Sequence, residues 1–162
     1  MKAVLAVLAT IGGLSAAHAA EIVDREGGYR LEVPRGWEGR VKGERIELVD
    51  PSGESSKGGL PKGTSRMWVR PIADPNFWFE QLLHRDETRD VRRVPARERA
   101  DGRFDYVDGL ARGGVDQQVS IVCRQISTRW VCVTLEYRLD DPASGAHRAL
   151  QMQVLDSLRP TN

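Results

Sequence analysis

The chain is poor in the residues from which most catalytic centres are built. Of 162 residues, two are cysteine and three are histidine. A structural zinc site needs four ligands at close spacing. Outside the N-terminal leader described below, the histidines are His84 and His147, on different expected helices. Neither has a histidine or cysteine at i+3 or i+4, and both are expected at helix ends or on the surface. No metal ligand is assigned. A serine nucleophile is equally hard to place. The segment "GESSKGG" lacks the G-x-S-x-G elbow, and no serine stands three residues before Lys57 or Lys62. Its glycines and lysine do not form the G-x-x-x-x-G-K-[S/T] phosphate cradle. Glycoside hydrolysis would need two carboxylates facing one cleft, and nothing singles out a pair among 23 acidic residues. The sequence assigns no catalytic residue and implies no cofactor.

An excess of one charge is also missing, with 24 basic residues against 23 acidic ones. A balanced chain offers no electrostatic reason to expect nucleic acid or an anionic membrane as partner. Arginine outnumbers lysine 20 to 4. Guanidinium groups bind carboxylates and phosphates side-on, yet a compositional bias of the source genome is the plainer account of the ratio. The Arg-rich stretch "HRDETRDVRRVPARERADGR" mixes signs closely and is expected to be a solvated face.

Long apolar runs are confined to the beginning. "MKAVLAVLATIGGLSAAHA" carries one positive charge, an apolar run from Ala3 to Ile11, and small residues ending Ala17-His18-Ala19. This order is that of a secretory signal peptide, with cleavage expected after Ala19. The run falls short of the roughly 20 residues that span a bilayer, and no later stretch approaches that length. No cysteine lies near the cleavage point, so lipid anchoring is not expected. Residues 20–162 are read as a single domain of ordinary size, periplasmic or secreted.

What remains has the period-two pattern of half-buried strands. It is clear in "YRLEV" (Tyr29, Leu31, Val33), in "RIELV" (Ile46 and Leu48 against Arg45, Glu47 and Val49) and in "SRMWVRPI" (Met67 and Val69 against Trp68 and Arg70). Asp50-Pro51-Ser52-Gly53 is a turn, and 51–64 reads as a polar surface loop. "ADPNFWFEQLLHRDE" is the clearest helix, with Asp74 as N-cap and Pro75 in the first turn. Two short β segments flank a turn at Ala100–Gly102. "DQQVSIVCRQ" and "RWVCVTLEYR" form the strongest strand pair. A last helix is expected after Asp141-Pro142, with Ala146, Leu150, Val154 and Leu158 on its inner face and Pro160 at its end. The order β-β-β-α-β-β-β-β-α, with short connections, implies antiparallel pairing and an α+β layer fold.

The two ends of this domain are similar to a known group. "YRLEVPRGW" resembles the opening of PsbP-like and DcrB-like periplasmic domains, and "LQMQVLDSL" resembles their closing helix. The resemblance implies an antiparallel sheet flanked by helices, an α/β/α sandwich. It also implies accessory or binding proteins rather than enzymes. No functional residue is carried over, because no functional motif matches.

The two cysteines lie in "VCRQISTRWVC", symmetric about Ser127-Thr128. A redox pair has C-x-x-C spacing beside a helix N-terminus, and two ligands alone do not make a metal site. In an oxidising compartment the expected product is a structural disulfide, Cys123–Cys132. A two-residue loop would set the pair at a non-hydrogen-bonded position, about 4.5 Å between Cα atoms, and a four-residue loop at a hydrogen-bonded one, about 5.5 Å. Each of the tryptophans Trp37, Trp68, Trp78 and Trp130 is expected to pack on the core or a sheet face. Together these features favour an exported, non-enzymatic domain that binds a periplasmic protein or a small ligand. The 51–64 loop and the strand bearing Trp68 and Arg70 are the candidate surfaces. A small periplasmic hydrolase, or an inhibitor or immunity-type protein, is the alternative.

Overall fold

The computed structural model describes residues 20–51, 60–75, 99–112 and 115–161, with side chains described throughout these except at 106–112, 115 and 116. The expected leader 1–19, most of the 51–64 loop, and the expected helix beyond Pro75 lie outside the described residues.

The pattern of alternating apolar residues becomes a six-stranded antiparallel sheet. Its strands are β3 (Glu38–Lys42), β4 (Arg45–Val49), β5 (Ser65–Ile72), β6 (Arg103–Arg112), β7 (Val115–Ile126) and β8 (Arg129–Arg138). They lie in the order β3-β4-β5-β8-β7-β6. A second, three-stranded sheet joins both ends of the described chain, in the order β1-β2-β9. Its strands are β1 (Glu21–Asp24), β2 (Tyr29–Glu32) and β9 (Arg159–Pro160). The short strands β1, β3 and β9 were not expected. Their sequences, "EIVD", "EGRVK" and "RP", carry little apolar alternation, and they are ordered by pairing with stronger neighbours.

One helix, α1 (Ser144–Ser157), is present among the described residues. With the small sheet it covers one face of the large sheet. The core between them holds Tyr29 and Leu31 from β2, and Val154, Leu155 and Leu158 from and just beyond α1. Against these pack Ile46, Leu48, Met67, Val69, Val131, Val133, Leu135 and Tyr137 from the large sheet. Strand periodicity put Ile46, Leu48, Met67 and Val69 on the inner face, and that is where they lie. Trp37 packs at the edge of this core, as expected. Gly39 on β3 lets the small sheet approach: a Cβ there would stand 2.9 Å from Val33 Cγ2, inside ordinary contact. The Tyr29 hydroxyl crosses the core and donates to the Val69 carbonyl at 2.9 Å.

Val154 and Leu158 are buried as expected, but in the first half of α1 the inner face is shifted by one residue. His147, Gln151, Val154 and Leu155 are buried, whereas Ala146 is exposed and Leu150 half-buried. Hydrophobicity alone favoured Ala146 and Leu150, but two polar side chains occupy the inner positions because each finds hydrogen-bond partners there. The helix also starts two residues after the expected proline turn. Ala143 is its N-cap and makes no side-chain capping bond.

The opposite face of the central strands is buried as well. Val119, Ile121 and Cys123 of β7 and Cys132, Thr134 and Glu136 of β8 are all buried there. Cys123 and Cys132 are bonded to each other, with Cα atoms 4.0 Å apart. They pair directly across β7 and β8, and the two-residue loop Ser127-Thr128 places them at the non-hydrogen-bonded position. Phe104 meets Trp130 edge to face beside them, ring centroids 5.0 Å apart.

Two predictions concern this hairpin. Replacing both cysteines with alanine should lower unfolding stability by about 2–3 kcal/mol, because a loop of about ten residues is no longer closed in the unfolded chain. Urea melts of the oxidised protein and the double variant will measure this, and denaturation without reductant should expose no free thiol. Ser127 is the one non-glycine residue with positive φ, 55°, among the described residues. A side chain disfavours that region by about 1–2 kcal/mol, partly offset by the greater chain entropy of glycine. Ser127→Gly should therefore raise stability by about 0.5 kcal/mol in the same assay.

Candidate functional site: an arginine–tryptophan ladder and a buried histidine

Alternation along β5 turns Arg66, Trp68 and Arg70 away from the core. Glu47 of β4 stands directly across from Trp68, and Glu136 of β8 directly across from Arg66. The Arg66 guanidinium lies over the Trp68 ring, 5.0 Å from its centroid, and that of Arg45 lies 5.8 Å away. Each arginine is held from behind. Arg66 Nε donates to Glu136 Oε2 at 2.7 Å, and the Glu136 side chain is almost wholly buried. Arg45 Nη2 donates to Glu47 Oε1 at 2.5 Å, and Lys42 Nζ reaches the same carboxylate at 3.4 Å. Burial alone would raise the Glu47 pKa, but the hydrogen bonds from Arg45 and Lys42 outweigh it and hold the group below its ordinary value. The result is a ladder across three strands, Glu136–Arg66–Trp68–Arg45–Glu47.

This geometry limits what the ladder can do. Cation–π stacking contributes about 0.5–2 kcal/mol and favours a fixed indole. Trp68 already carries two guanidinium groups of its own chain. An incoming aromatic ring would therefore compete with Arg45 and Arg66 for its faces, whereas a partner carbonyl or carboxylate can meet the half-exposed arginines. Arg70 lies two residues further along the same face.

A second polar centre was not legible. Sequence reading placed His147 at a surface or helix end; it is in the first turn of α1 but buried. Its Nε2 lies 3.2 Å from Asp141 Oδ2. Asp141, expected as a cap for the helix, is buried instead and binds three separate segments. It accepts from the Ala143 N–H and the Gly63 N–H, each at 2.8 Å, as well as facing His147. Burial would raise the Asp141 pKa, but the Ala143 and Gly63 amides and then His147 outweigh it and lower it. Next to it, exposed Asp140 is held well below the usual carboxylate range by hydrogen bonds from Arg138 and then Lys62. Tyr137 stacks obliquely on His147, centroids 5.8 Å apart. Burial raises the Tyr137 pKa, and Arg148 partly opposes this.

One turn along α1, Gln151 completes the network. Its Nε2 donates to the Ser120 and Val133 carbonyls at 2.8 and 2.9 Å, and its Oε1 accepts from Ser120 Oγ at 2.9 Å. Arg148 Nη1 in turn donates to Ser120 Oγ. These groups spend their hydrogen bonds on the protein itself, so the centre fastens the 61–64 segment, the β8–α1 turn and α1 together. No group of three or more His, Cys, Asp and Glu that could hold a metal occurs among the described residues. No helix there is long and apolar enough to cross a membrane.

Comparison with solved structures gives the fold a name. The solution structure of cyanobacterial PsbP (CyanoP) from Synechocystis sp. PCC 6803 superposes over 95% of this chain and 99% of its own, with a TM-score of 0.58 and 17% identity. The fold is PsbP-like. A crystal structure from Bacteroides thetaiotaomicron VPI-5482 matches 90% of this chain at a TM-score of 0.53 and 8% identity, and this chain spans about half of its length. At such identities the PsbP-like fold is shared and the function is not given by it. No family model and no curated protein matches the sequence. The terminal motifs "YRLEVPRGW" and "LQMQVLDSL" do sit where the PsbP-like resemblance put them, on β2 with its following turn and on the second half of α1.

A pH dependence follows from Asp141. A carboxylate with a lowered native pKa stabilises the fold above its unfolded value of about 3.9 and loses that contribution as pH falls through the native pKa. Urea melts should therefore weaken below about pH 4. Asp141→Asn should flatten that part of the profile, and at pH 7 should cost about 1–3 kcal/mol, since one accepted bond becomes a donor clash.

Proposed function

We propose that this protein is an exported, non-enzymatic accessory protein that binds a partner protein in the periplasm through the β4–β5 face. The observation that carries this reading is the Arg45–Trp68–Arg66 ladder. Tryptophan and arginine are the residues most enriched at binding hot spots. Here they are held rigid before any partner arrives, so little side-chain freedom is lost on binding. Arg45 and Arg66 keep 41% and 31% of their side-chain surface open while anchored from below. Arg70, on the same face, extends the basic edge toward the disulfide. The signal-like leader supports export, and a disulfide in the β7–β8 hairpin suits an oxidising compartment. The PsbP-like fold is in keeping with an accessory role. Burial of both faces of β7 and β8 supports a second covering layer, as in the α/β/α sandwich that the sequence suggested.

The test is affinity capture from periplasmic extract with wild-type protein and with a Trp68→Ala, Arg45→Ala double variant of unchanged melting temperature. A partner enriched by the wild type should be lost, or weakened by at least about tenfold, with the variant. Equal recovery by both would remove the ladder from the interface. Turnover of a generic ester or glycoside by the purified protein would overturn the non-enzymatic reading.

A further inference from the structure

The small sheet carries a cleft that the β4–β5 face does not account for. It has a volume of about 560 Å3 and is lined, among the described residues, by Val23, Arg25, Arg30 and Thr161. Register explains the grouping. Tyr29 and Leu31 of β2 face the core, so Arg30 between them faces outward. Val23 of β1 lies directly across from Arg30 on one side and Arg159 of β9 on the other. Thr161 is brought in by its backbone N–H, which donates to the Gly28 carbonyl at 3.1 Å. Gly28 itself sits at φ 75°, and a Cβ there would meet nothing within 4 Å, so the backbone beside the cleft is open.

Two positive charges, one hydroxyl and an exposed valine therefore share a concave surface, with no carboxylate among its described lining residues. Arg30 is the informative member. Its Nη1 is 3.7 Å from Glu21 Oε1, a long contact between half-exposed groups that solvent screens. Its Nε is buried and has no hydrogen-bond acceptor. The open part of the half-exposed side chain is its terminal end, whose two Nη groups form a fork that can receive two oxygens of a carboxylate or phosphate side by side. Arg25 and the Thr161 hydroxyl can supply further donors to the same anion. Arg159 adds charge but not donors of equal freedom, since its Nη1 already donates to the Asp156 and Leu158 carbonyls.

We propose that the β1–β2–β9 cleft binds a small oxyanion ligand, a carboxylate- or phosphate-bearing molecule, with Arg30 as its bidentate anchor, Arg25 as a second cation and Val23 as the apolar wall. The volume leaves room for an organic portion of the ligand against Val23. This site is independent of the β4–β5 face.

Amide chemical shifts followed by NMR will test it, with inorganic phosphate and citrate as probes. Saturable shifts confined to residues 21–30 and 159–161 are expected. Arg30→Gln should weaken binding by about tenfold or more, and Arg30→Lys by less, since lysine keeps the charge but loses the fork. Melting curves establish that each variant is folded, and Arg25→Gln, exposed and outside the strands, is the second variant. Shifts that do not saturate, or affinities unchanged in both Arg30→Gln and Arg25→Gln, would overturn the proposal. Retention on phosphatidylglycerol vesicles without binding of either free probe would overturn it too, placing a membrane headgroup where a soluble ligand is proposed.

Discussion

The register of α1 on the sheet is set by one buried amide. Gln151 donates to carbonyls of two adjacent strands, Ser120 on β7 and Val133 on β8. A helix held only by apolar contacts can slide or rotate at modest cost, because methyl groups exchange neighbours freely. An amide with both donors engaged cannot, since a shift of one residue would strand two buried N–H groups. Once Gln151 is fixed, the rest of the helix follows from its periodicity. Four residues back, His147 falls against Asp141. Three and four residues on, Val154 and Leu155 enter the core, and Leu158 follows at seven. The buried polar network is therefore a positioning device, and the apolar core is assembled around it.

The same logic separates the molecule's two kinds of arginine. Arg66 and Arg148 are built into the fold, one on the buried carboxylate of Glu136 and one on Ser120. Their charge is answered within the chain, and what they offer outward is shape and residual hydrogen-bonding capacity. Arg25 and Arg30 stand where the fold supplies less. A chain with balanced charge overall can thus hold local imbalance, which composition averages away. This is why total charge excluded broad classes of partner and yet could not indicate a small anion site.

Strand patterning was legible wherever a strand had one wet and one dry side. β2, β4 and β5 were read correctly down to the face of each residue, including Trp68 and Arg70. The cysteine spacing was legible because a hairpin with a two-residue loop leaves one geometry for residues symmetric about it. The first half of the helix face was misread for a physical reason. Ala146 and Leu150 satisfy an apolar count, whereas His147 is inside because Asp141 waits for it, and Gln151 because carbonyls of β7 and β8 do; partners on strands distant in sequence are not written locally. Asp141 illustrates the same limit. Aspartate followed by proline suits a helix cap, but Gly63, which claims one of its oxygens, lies 78 residues earlier in the chain, just before the neighbouring strand β5. The short strands β1, β3 and β9 lacked a signal of their own because their order is borrowed from their neighbours.

The small sheet has a consequence for the order of assembly. The β7–β8 hairpin closes over a two-residue loop, so its contacts cost little chain entropy and can form while the remainder is still open. The β2–β9 pairing joins Tyr29 to Pro160, near opposite ends of the described chain. Such a contact costs the most loop entropy and is favourable only after the intervening strands have collapsed. As the chain is made from its N-terminal end, β2 must wait unpaired on one side until Arg159 and Pro160 arrive. Closure of the small sheet, and with it the completion of the Arg30 cleft, is then the final step of folding, so a truncated or partly folded chain would lack the cleft while already possessing the disulfide hairpin.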